Sequence, residues 1–470
     1  MRSGTLEYAR ERDAILLAVV LVGTILHAYL GWAFAGYAAA PALVAYIALE
    51  WPRQRGNARL LVFVSFALGL WAALQGGALR PVADGLVRAC FYPAFLASLG
   101  SLRDAAASSP MIERAGRYLV DQPPGRRYVA LTFGGHVFGI LLNMGGLALL
   151  ASMLKQVNTL ASAGGDKGRL DIRERRMTLA VLRGFSAMPM WCPLSITMAL
   201  LFSLTPQAHW SQYAPYGLGL TLVYLVLGWL TDYLQHPRAA IVGAVKDPGG
   251  WTSIVVMLTQ VGAMTGVALA LEHSTGVGFI THILVVVPVF AFGWLVVQNA
   301  RLGFVRAIRT SMRVLAERSA RAFPTYANEV TLFTTSGFLG AMIAILVPAD
   351  ALPGFIAGLH LPVQTLPVVI VVVVGALGFV GINPMITLTL ILGSLAKSPI
   401  EGLSPLKLVI TAAGAWTLSL GLSPLNGSMV LLANIMQRPS ELIALRWNGL
   451  FAAATLVAFC GVIYFAPIQG

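Results

Sequence analysis

The sequence predicts an all-α polytopic membrane protein, with eleven transmembrane helices and two re-entrant hairpins arranged as an inverted-topology repeat. Three observations lead to this prediction: the composition, the lengths of the apolar segments and the placement of the basic residues. The 470 residues are 57% hydrophobic and 11% charged, and the mean hydropathy is +0.77. Soluble domains carry about 25% charged residues. Most side chains therefore need lipid as their solvent.

Eleven apolar segments are predicted to cross the bilayer as helices, for which roughly 20 residues are typical. The first follows Arg10 and Arg12, and we expect it to be an uncleaved span and not a signal peptide. The predicted spans are 14–32, 36–50, 60–76, 85–100, 177–206, 215–235, 251–271, 279–297, 329–347, 406–437 and 448–467.

Two further apolar segments, 128–154 and 363–396, are long for one crossing and short for two. Both have centres rich in glycine or containing proline, FGGHVFGILLNMGG and GALGFVGINPM. Non-helical backbone at membrane depth is tolerated only where protein shields it or where it lines a cavity. We therefore predict two re-entrant hairpins, each entering and leaving on one side.

The basic residues support this topology. With a cytoplasmic N-terminus and two re-entrant hairpins, only Arg80, Lys397 and Lys407 fall in outside loops, and only Arg88 and Arg183 fall inside spans. All other Lys and Arg residues lie in inside loops, as the positive-inside rule requires. This predicts a multi-pass protein of the cytoplasmic (inner) membrane with a periplasmic or extracellular C-terminus.

The net charge of +13 is explained by these loops, and we expect no nucleic-acid partner. The loop 298–327 carries apolar residues at helical spacing among arginines, which predicts an amphipathic helix on the inner membrane surface. The cysteines Cys90, Cys192 and Cys460 lie in apolar segments without metal or disulfide spacing.

An internal repeat identifies a candidate site. The segment 192–201 reads CPLSITMALL and the segment 423–432 reads SPLNGSMVLL, 231 residues later. The hairpins repeat more weakly, with Asn143 in one and Asn383 in the other. Because five spans separate the hairpins, they enter from opposite faces, which is the usual build of secondary transporters. The two predicted units are 1–235, with hairpin 128–154 and broken helix 177–206, and 236–470, with hairpin 363–396 and broken helix 406–437.

Each repeat contains a proline followed by small polar residues at mid-membrane. Proline frees a backbone carbonyl that can ligate a cation, whereas half-helix N-termini favour an anion. The alternative reading is that these are ordinary packing and kink residues. The predicted helix breaks are Pro193, Pro384 and Pro424. The predicted substrate-binding residues are Asn143, Ser195, Thr197, Asn383, Thr387, Asn426 and Ser428.

The order of spans, hairpins and broken spans resembles the ion transporter superfamily over essentially the whole chain. That group includes divalent anion:sodium symporters, arsenite antiporters and sodium/proton antiporters. Divalent anion symporters carry Ser-Asn-Thr at both hairpin tips, so only Asn143 and Asn383 carry over. The resemblance implies a homodimer and a transport domain that moves as an elevator. The one candidate cofactor is sodium, which would bind near Asn143, Ser195, Asn383 and Asn426.

Few ionisable residues are expected inside the membrane, where such residues are functional candidates. Neither broken-span motif contains a carboxylate, which favours an anion or a neutral solute over a cation. Asp232 and Glu329 are expected near the membrane surface. His136 is a candidate for proton coupling, and the alternative is an ordinary histidine held by hydrogen bonds. Arg183 is expected to extend its side chain to the inner surface, and the alternative is that it attracts an anion.

These observations predict a sodium- or proton-coupled secondary transporter of a small anion. A drug or metabolite exporter on the same architecture is one alternative. A membrane-embedded transferase is another, although no HExxH, DxD or Ser/His/Asp grouping is evident. We therefore predict a transporter and not an enzyme, with the anion, membrane lipid and a second copy of the chain as its partners.

Overall fold

The computed structural model describes residues 2–76, 79–236, 250–346, 361–397 and 400–465, with three single positions at 348, 354 and 358. This described part of the chain is almost entirely helical and contains no strand. Within these described residues, seven helical segments are long and apolar enough to cross a membrane: Glu11–Leu30, Gly56–Gln75, Arg80–Ala107, Trp210–Gln235, Gly250–Thr275, Phe279–Gln298 and Pro405–Met436. The predicted all-α polytopic class is confirmed at this level.

The helices fall into two runs along the chain. The first run is α1 (Arg2–Leu30), α2 (Ala33–Leu49), α3 (Gly56–Gly76), α4 (Arg80–Ala89), α5 (Phe91–Ala107), α6 (Pro110–Val120), α7 (Pro124–Leu142), α8 (Met144–Val157), α9 (Lys167–Ser186), α10 (Ile196–Leu204) and α11 (Trp210–Gln235). The second run is α12 (Gly250–Thr275), α13 (Phe279–Gln298), α14 (Phe304–Ala322), α15 (Ala327–Leu346), α16 (Thr365–Phe379), α17 (Pro384–Lys397), α18 (Pro405–Leu422), α19 (Gly427–Met436) and α20 (Gly449–Phe465). The predicted boundary at 235/236 adjoins residues 237–249, which lie outside the described residues.

The first predicted hairpin is a pair of helices, α7 and α8, joined at one residue. Asn143 takes a φ of 51° and a ψ of −132°, a positive-φ conformation that residues other than glycine rarely adopt. The helix α7 therefore ends there and α8 folds back. A Cβ atom on Gly146 would lie 2.4 Å from the carbonyl oxygen of Phe138, so the two helices approach closely beside the hinge.

The second predicted hairpin, α16 and α17, turns through a Schellman motif. Gly381 has a φ of 93°, its N–H donates to Gly378 O and the N–H of Ile382 donates to Leu377 O. This pattern satisfies the last carbonyls of a helix and favours glycine at the left-handed position. Asn383 then caps α17.

Each predicted broken span is two helices with a non-helical stretch between them. The first consists of α9, a short turn at Met188–Met190 and α10. The second consists of α18 and α19, which residues 423–426 separate. Pro193 and Pro424 lie in these stretches, because proline lacks the N–H that a helix interior needs.

Glycines allow α7 and α9 to pack closely. A Cβ atom on Gly184 would lie 1.8 Å from Thr132 O, and one on Gly135 would lie 2.3 Å from Val181 O. Small residues let helix backbones approach in this way where van der Waals packing drives association. The first hairpin is thereby held against the first broken helix.

The helix contacts separate two groups. In one, α5 packs against α1 and α13, while α15 packs against α3, α4 and α5. In the other, α7 packs against α9, α8 against α19, and α18 against α11, α16 and α20. Contacts of α15 with α17, and of α5 with α7 and α10, join the groups. The candidate site lies at this junction.

Candidate functional site

A cavity of about 300 Å³ lies where both hairpins and both broken helices meet. The predicted substrate-binding residues Asn143, Ser195, Thr197, Asn383, Asn426 and Ser428 all line it. Thr387 lies outside this lining and is 8% exposed. Of the predicted helix breaks, Pro384 lines the cavity, whereas Pro193 and Pro424 are buried behind it.

Four helices begin at the wall of this cavity. Their first residues line it: Met144 of α8, Ile196 of α10, Pro384 of α17 and Gly427 of α19. The first N–H groups of a helix have no partner inside the helix, and the macrodipole places roughly half a positive charge at its N-terminus. The cavity is therefore surrounded by the positive ends of four helices.

Three of the residues that precede these helices act as N-caps. Each side-chain oxygen accepts a bond from a backbone N–H of its own helix, as capping residues do. The bonds run from Met198 N to Ser195 Oγ (3.2 Å), from Met385 N to Asn383 Oδ1 (3.0 Å) and from Ser428 N to Asn426 Oδ1 (3.1 Å).

Asn143 is different because its side chain does not cap α8. Its side chain makes no hydrogen bond to another described residue, and Asn143 is exposed to the cavity. The amide group of Asn143 can therefore turn toward a bound molecule without breaking a contact in the protein.

Protein donors satisfy the carbonyls that the helix breaks release. The hydroxyl of Tyr213 donates to Met190 O, and the indole N–H of Trp210 donates to Trp191 O at 3.1 Å. In the second half, Ser428 Oγ donates to Leu420 O at 3.2 Å. The polar groups that face the cavity are consequently those at the N-terminal ends of the four helices. A sodium site at the predicted residues stays a prediction.

His136 lies behind the first broken helix and not in the cavity lining. The indole N–H of Trp191 donates to His136 Nε2 at 2.9 Å. Because Nε2 accepts that bond, the proton of the neutral ring is on Nδ1, which lies 3.1 Å from Gly184 O. Through these two bonds, His136 holds the hairpin against α9 and against the non-helical stretch that follows it, and proton coupling through His136 stays a prediction.

Arg103, Tyr326 and Glu329 form the opposite wall of the cavity. The Cζ atom of Arg103 lies 4.3 Å from the ring centroid of Tyr326. Tyr326 is 6% exposed, and its hydroxyl has no hydrogen-bond partner in the described part of the chain. An unpaired buried hydroxyl is costly, so Tyr326 offers a donor to a molecule in the cavity.

The sequence did not predict this wall. Arg103 was expected in an inside loop and Glu329 near the membrane surface, and Glu329 gives the cavity a carboxylate although neither broken-span motif contains one. A signal was available, because α5 and α15 are the helices whose spans precede the two hairpins. Charged residues at the inner ends of these spans were candidates for the junction.

The fold is similar to that of a known transporter. No protein-family model matches the sequence, and a search of curated proteins gave no match. A crystal structure of the YdaH transporter from Alcanivorax borkumensis matches with a TM-score of 0.52 and 14% sequence identity. The match covers 87% of this chain and 98% of that chain. The chain therefore shares its fold with this structure, and its long apolar helices are those of a multi-pass membrane protein.

Arg183 is buried in the protein beside this site, which shows that the expected extension to the membrane surface is wrong. It is 1% exposed, and its guanidinium donates to neutral groups. The bonds are Nε to Asn448 Oδ1 (2.9 Å) and Nη1 to Tyr128 Oη (2.9 Å), Gly228 O (2.8 Å) and Thr231 Oγ1 (3.3 Å).

Arg183 also connects the two broken helices. The Cζ atom lies 4.3 Å from the ring centroid of Phe451, and the amide of Asn448 donates to Gly421 O at 3.1 Å. Gly421 stands in the last turn of α18, directly before the second break. A continuous chain of contacts thus runs from α9 to α18 through one buried cation.

Proposed function

We propose that this chain is a sodium- or proton-coupled secondary transporter that moves a small anion across the cytoplasmic membrane. The observation that supports this most directly is the meeting of four helix N-termini at one cavity. Half-helix N-termini aimed at a midplane site bind anionic groups in transporters built from inverted repeats.

The charges of the cavity favour an anion. Arg103 and Glu329 on the opposite wall carry opposite charges, which leaves the four helix ends as the excess positive potential. The unpaired hydroxyl of Tyr326 and the uncommitted amide of Asn143 add hydrogen-bond donors. A volume of about 300 Å³ suits a small solute.

The proposed movement is of the elevator type. The two hairpins would be re-entrant and, with the broken helices, would form a transport unit that slides against the group of α1, α5, α13 and α15. The predicted homodimer would hold the group of α1, α5, α13 and α15 fixed. The junction of the groups, where the cavity lies, is the surface that alternating access requires.

The coupling ion distinguishes two forms of this proposal. Sodium would use the side-chain oxygens of residues such as Ser195 and Asn426, whereas proton coupling would use His136 or Glu329. Purified protein in proteoliposomes should accumulate a labelled anion against its gradient, within a panel of inorganic anions and small carboxylates. Accumulation that needs sodium indicates the first form, and accumulation that an uncoupler abolishes indicates the second. No gradient-driven movement of any anion would contradict the proposal.

Asn143→Ala tests the site directly. Because alanine is strained at the positive φ of Asn143 and glycine is not, Asn143→Gly is made beside it, and both changes should lower anion uptake at least tenfold per amount of folded protein. Asn57→Ala, at the exposed start of α3, is the matched control and should transport normally. Full uptake by the Asn143→Ala variant would remove Asn143 from the site.

A further inference from the structure

The helix α14 presents three different faces around its axis. Successive residues of a helix advance by about 100°, so residues seven positions apart share a face. Ala307 and Ser311 are buried against the protein. Phe304, Val305 and Met312 lie on the neighbouring face and are 76%, 69% and 60% exposed. Large apolar side chains exposed together in this way indicate an interaction surface.

The third face of α14 is basic. It carries three exposed arginines, Arg306, Arg309 and Arg313, and Arg321 is exposed about two turns beyond Arg313. Glu317 is the carboxylate among them, and Arg313 Nε donates to its Oε1 at 2.6 Å. This hydrogen bond lowers the pKa of Glu317, so that carboxylate stays charged. The arginines still outnumber it, and the face is positive.

The position of α14 in the chain places it at a membrane surface. It starts six residues after α13, a helix long and apolar enough to span a bilayer. An apolar face beside an arginine-rich face is the build of helices that lie in the plane of the membrane, with apolar side chains in the acyl boundary and arginines at the headgroups. Anionic lipids attract such basic segments.

We propose that α14 is a binding surface for anionic phospholipid headgroups, and that this lipid contact positions one wall of the cavity. The connection is short. Arg318 Nη1 donates to Asp104 O at 3.2 Å, and the adjacent Arg103 stacks on Tyr326 in the cavity wall. At the end of α14, Phe323 O accepts from the hydroxyl of Tyr46 at 2.7 Å. A shift of α14 at the headgroups therefore reaches Arg103 and Tyr326.

A fluorescent reporter on α14 tests the lipid contact. Met312→Cys would be labelled with an environment-sensitive dye, in a background where Cys90, Cys192 and Cys460 are alanine. The protein would be placed in nanodiscs of phosphatidylcholine with or without phosphatidylglycerol. We expect a blue-shifted, brighter emission with the anionic lipid, which high salt reduces because salt screens exposed charges.

Two triple variants decide the result. Arg306→Gln, Arg309→Gln and Arg313→Gln together should weaken the response to phosphatidylglycerol at least tenfold in a lipid titration. The control changes three exposed arginines elsewhere to glutamine, namely Arg114, Arg126 and Arg169, and should leave the response intact. Equal emission in both lipids would overturn the proposal. An emission that follows protein concentration instead of lipid would also overturn it and would indicate a protein partner.

The link to the cavity has its own readout. Thr197→Cys in the same cysteine-free background should react with a small thiol reagent at a rate that changes at least threefold with phosphatidylglycerol. The α14 triple variant should abolish that change. A rate that is independent of the lipid would reject the link, whichever way the reporter on α14 responds.

Discussion

At the residue scale, the four polar residues that precede the helices around the cavity have different roles. Ser195, Asn383 and Asn426 are bound to the backbone of their own helices, whereas Asn143 is not. The first three residues both hold the fold and face the cavity. Substitutions can separate these two roles.

Two substitutions of Asn383 should separate its role in stability from its role in transport. Asn383→Ala removes the cap of α17 and should lower the free energy of unfolding by about 1 kcal/mol. Asn383→Asp keeps an acceptor for Met385 N, so stability should return, but the new negative charge should still reduce anion uptake. Thermal unfolding in detergent and uptake in proteoliposomes measure the two effects. Uptake by Asn383→Asp at the native level would argue against an anionic substrate.

Arg183 should be the most sensitive single position for stability. Arg183→Leu leaves Asn448 Oδ1 and Tyr128 Oη without the donor that they share in a buried place, and unsatisfied groups of this kind cost about 1–3 kcal/mol each. We expect a large fall in the thermal unfolding midpoint. Arg169→Leu, on the exposed start of α9, should leave the midpoint nearly unchanged. Equal midpoints for the two variants would contradict the structural role of Arg183.

At the scale of elements, close helix contact depends on the absence of a side chain. The helices α7 and α9 approach until Gly184 faces the backbone oxygen of Thr132. The same pair carries the first hairpin hinge and the first break. Their separation therefore sets where Asn143 and Ser195 stand relative to each other.

Gly184→Ala tests this contact. The new Cβ atom would lie 1.8 Å from Thr132 O, so the helices must move apart, at a cost of about 1–3 kcal/mol, as is typical for overpacking. Gly219→Ala in α11 has nothing within 4 Å and should be neutral or slightly stabilising, since alanine favours a helix over glycine. Unfolding in a denaturant series compares the two variants, and equal stability would rule out tight α7–α9 packing.

An ion-pair cluster joins the broken helices at another point. Arg438, just after α19, bonds to Glu174 Oε1 at 2.7 Å and to Asp171 Oδ1 at 2.8 Å on α9. The hydrogen bond to Glu174 raises the pKa of Arg438. This cluster and the Arg183 network connect the same pair of broken helices, so the two halves of the site are tied at both points.

At the scale of the whole molecule, the predicted topology can be checked with single cysteines. An impermeant thiol reagent should label Glu401→Cys in intact cells, because its loop is predicted to lie outside. Asp166→Cys should react only after permeabilisation, because the arginine-rich loop is predicted to lie inside. Both positions are exposed. The reverse labelling pattern would show that the proposed orientation is wrong. Residues 398–399 of the predicted outer loop lie outside the described part of the chain.

Much of the site could be predicted from the sequence because the repeat marks it. The paired motifs CPLS and SPLN contain Ser195 and Asn426, which both cap helices at the cavity. Thr387, in the second predicted hairpin, was also predicted to bind substrate, but it lies one turn into α17 and is buried outside the cavity lining. Helical geometry around a hinge decides which side chain faces the cavity, and the hinge conformation is not visible in a hydropathy pattern.

The sequence by itself determined that the chain is helical and polytopic, because each apolar segment partitions between lipid and water according to its own side chains. It also identified the hinges and breaks, because proline and the backbone freedom of glycine and asparagine act locally. Only the tertiary structure decided that Arg103, Tyr326 and Glu329 face the hinges, and that Arg183 is buried between broken helices. Those placements depend on which helices pack together although they are far apart in the sequence, and no local property of a segment specifies its distant partner.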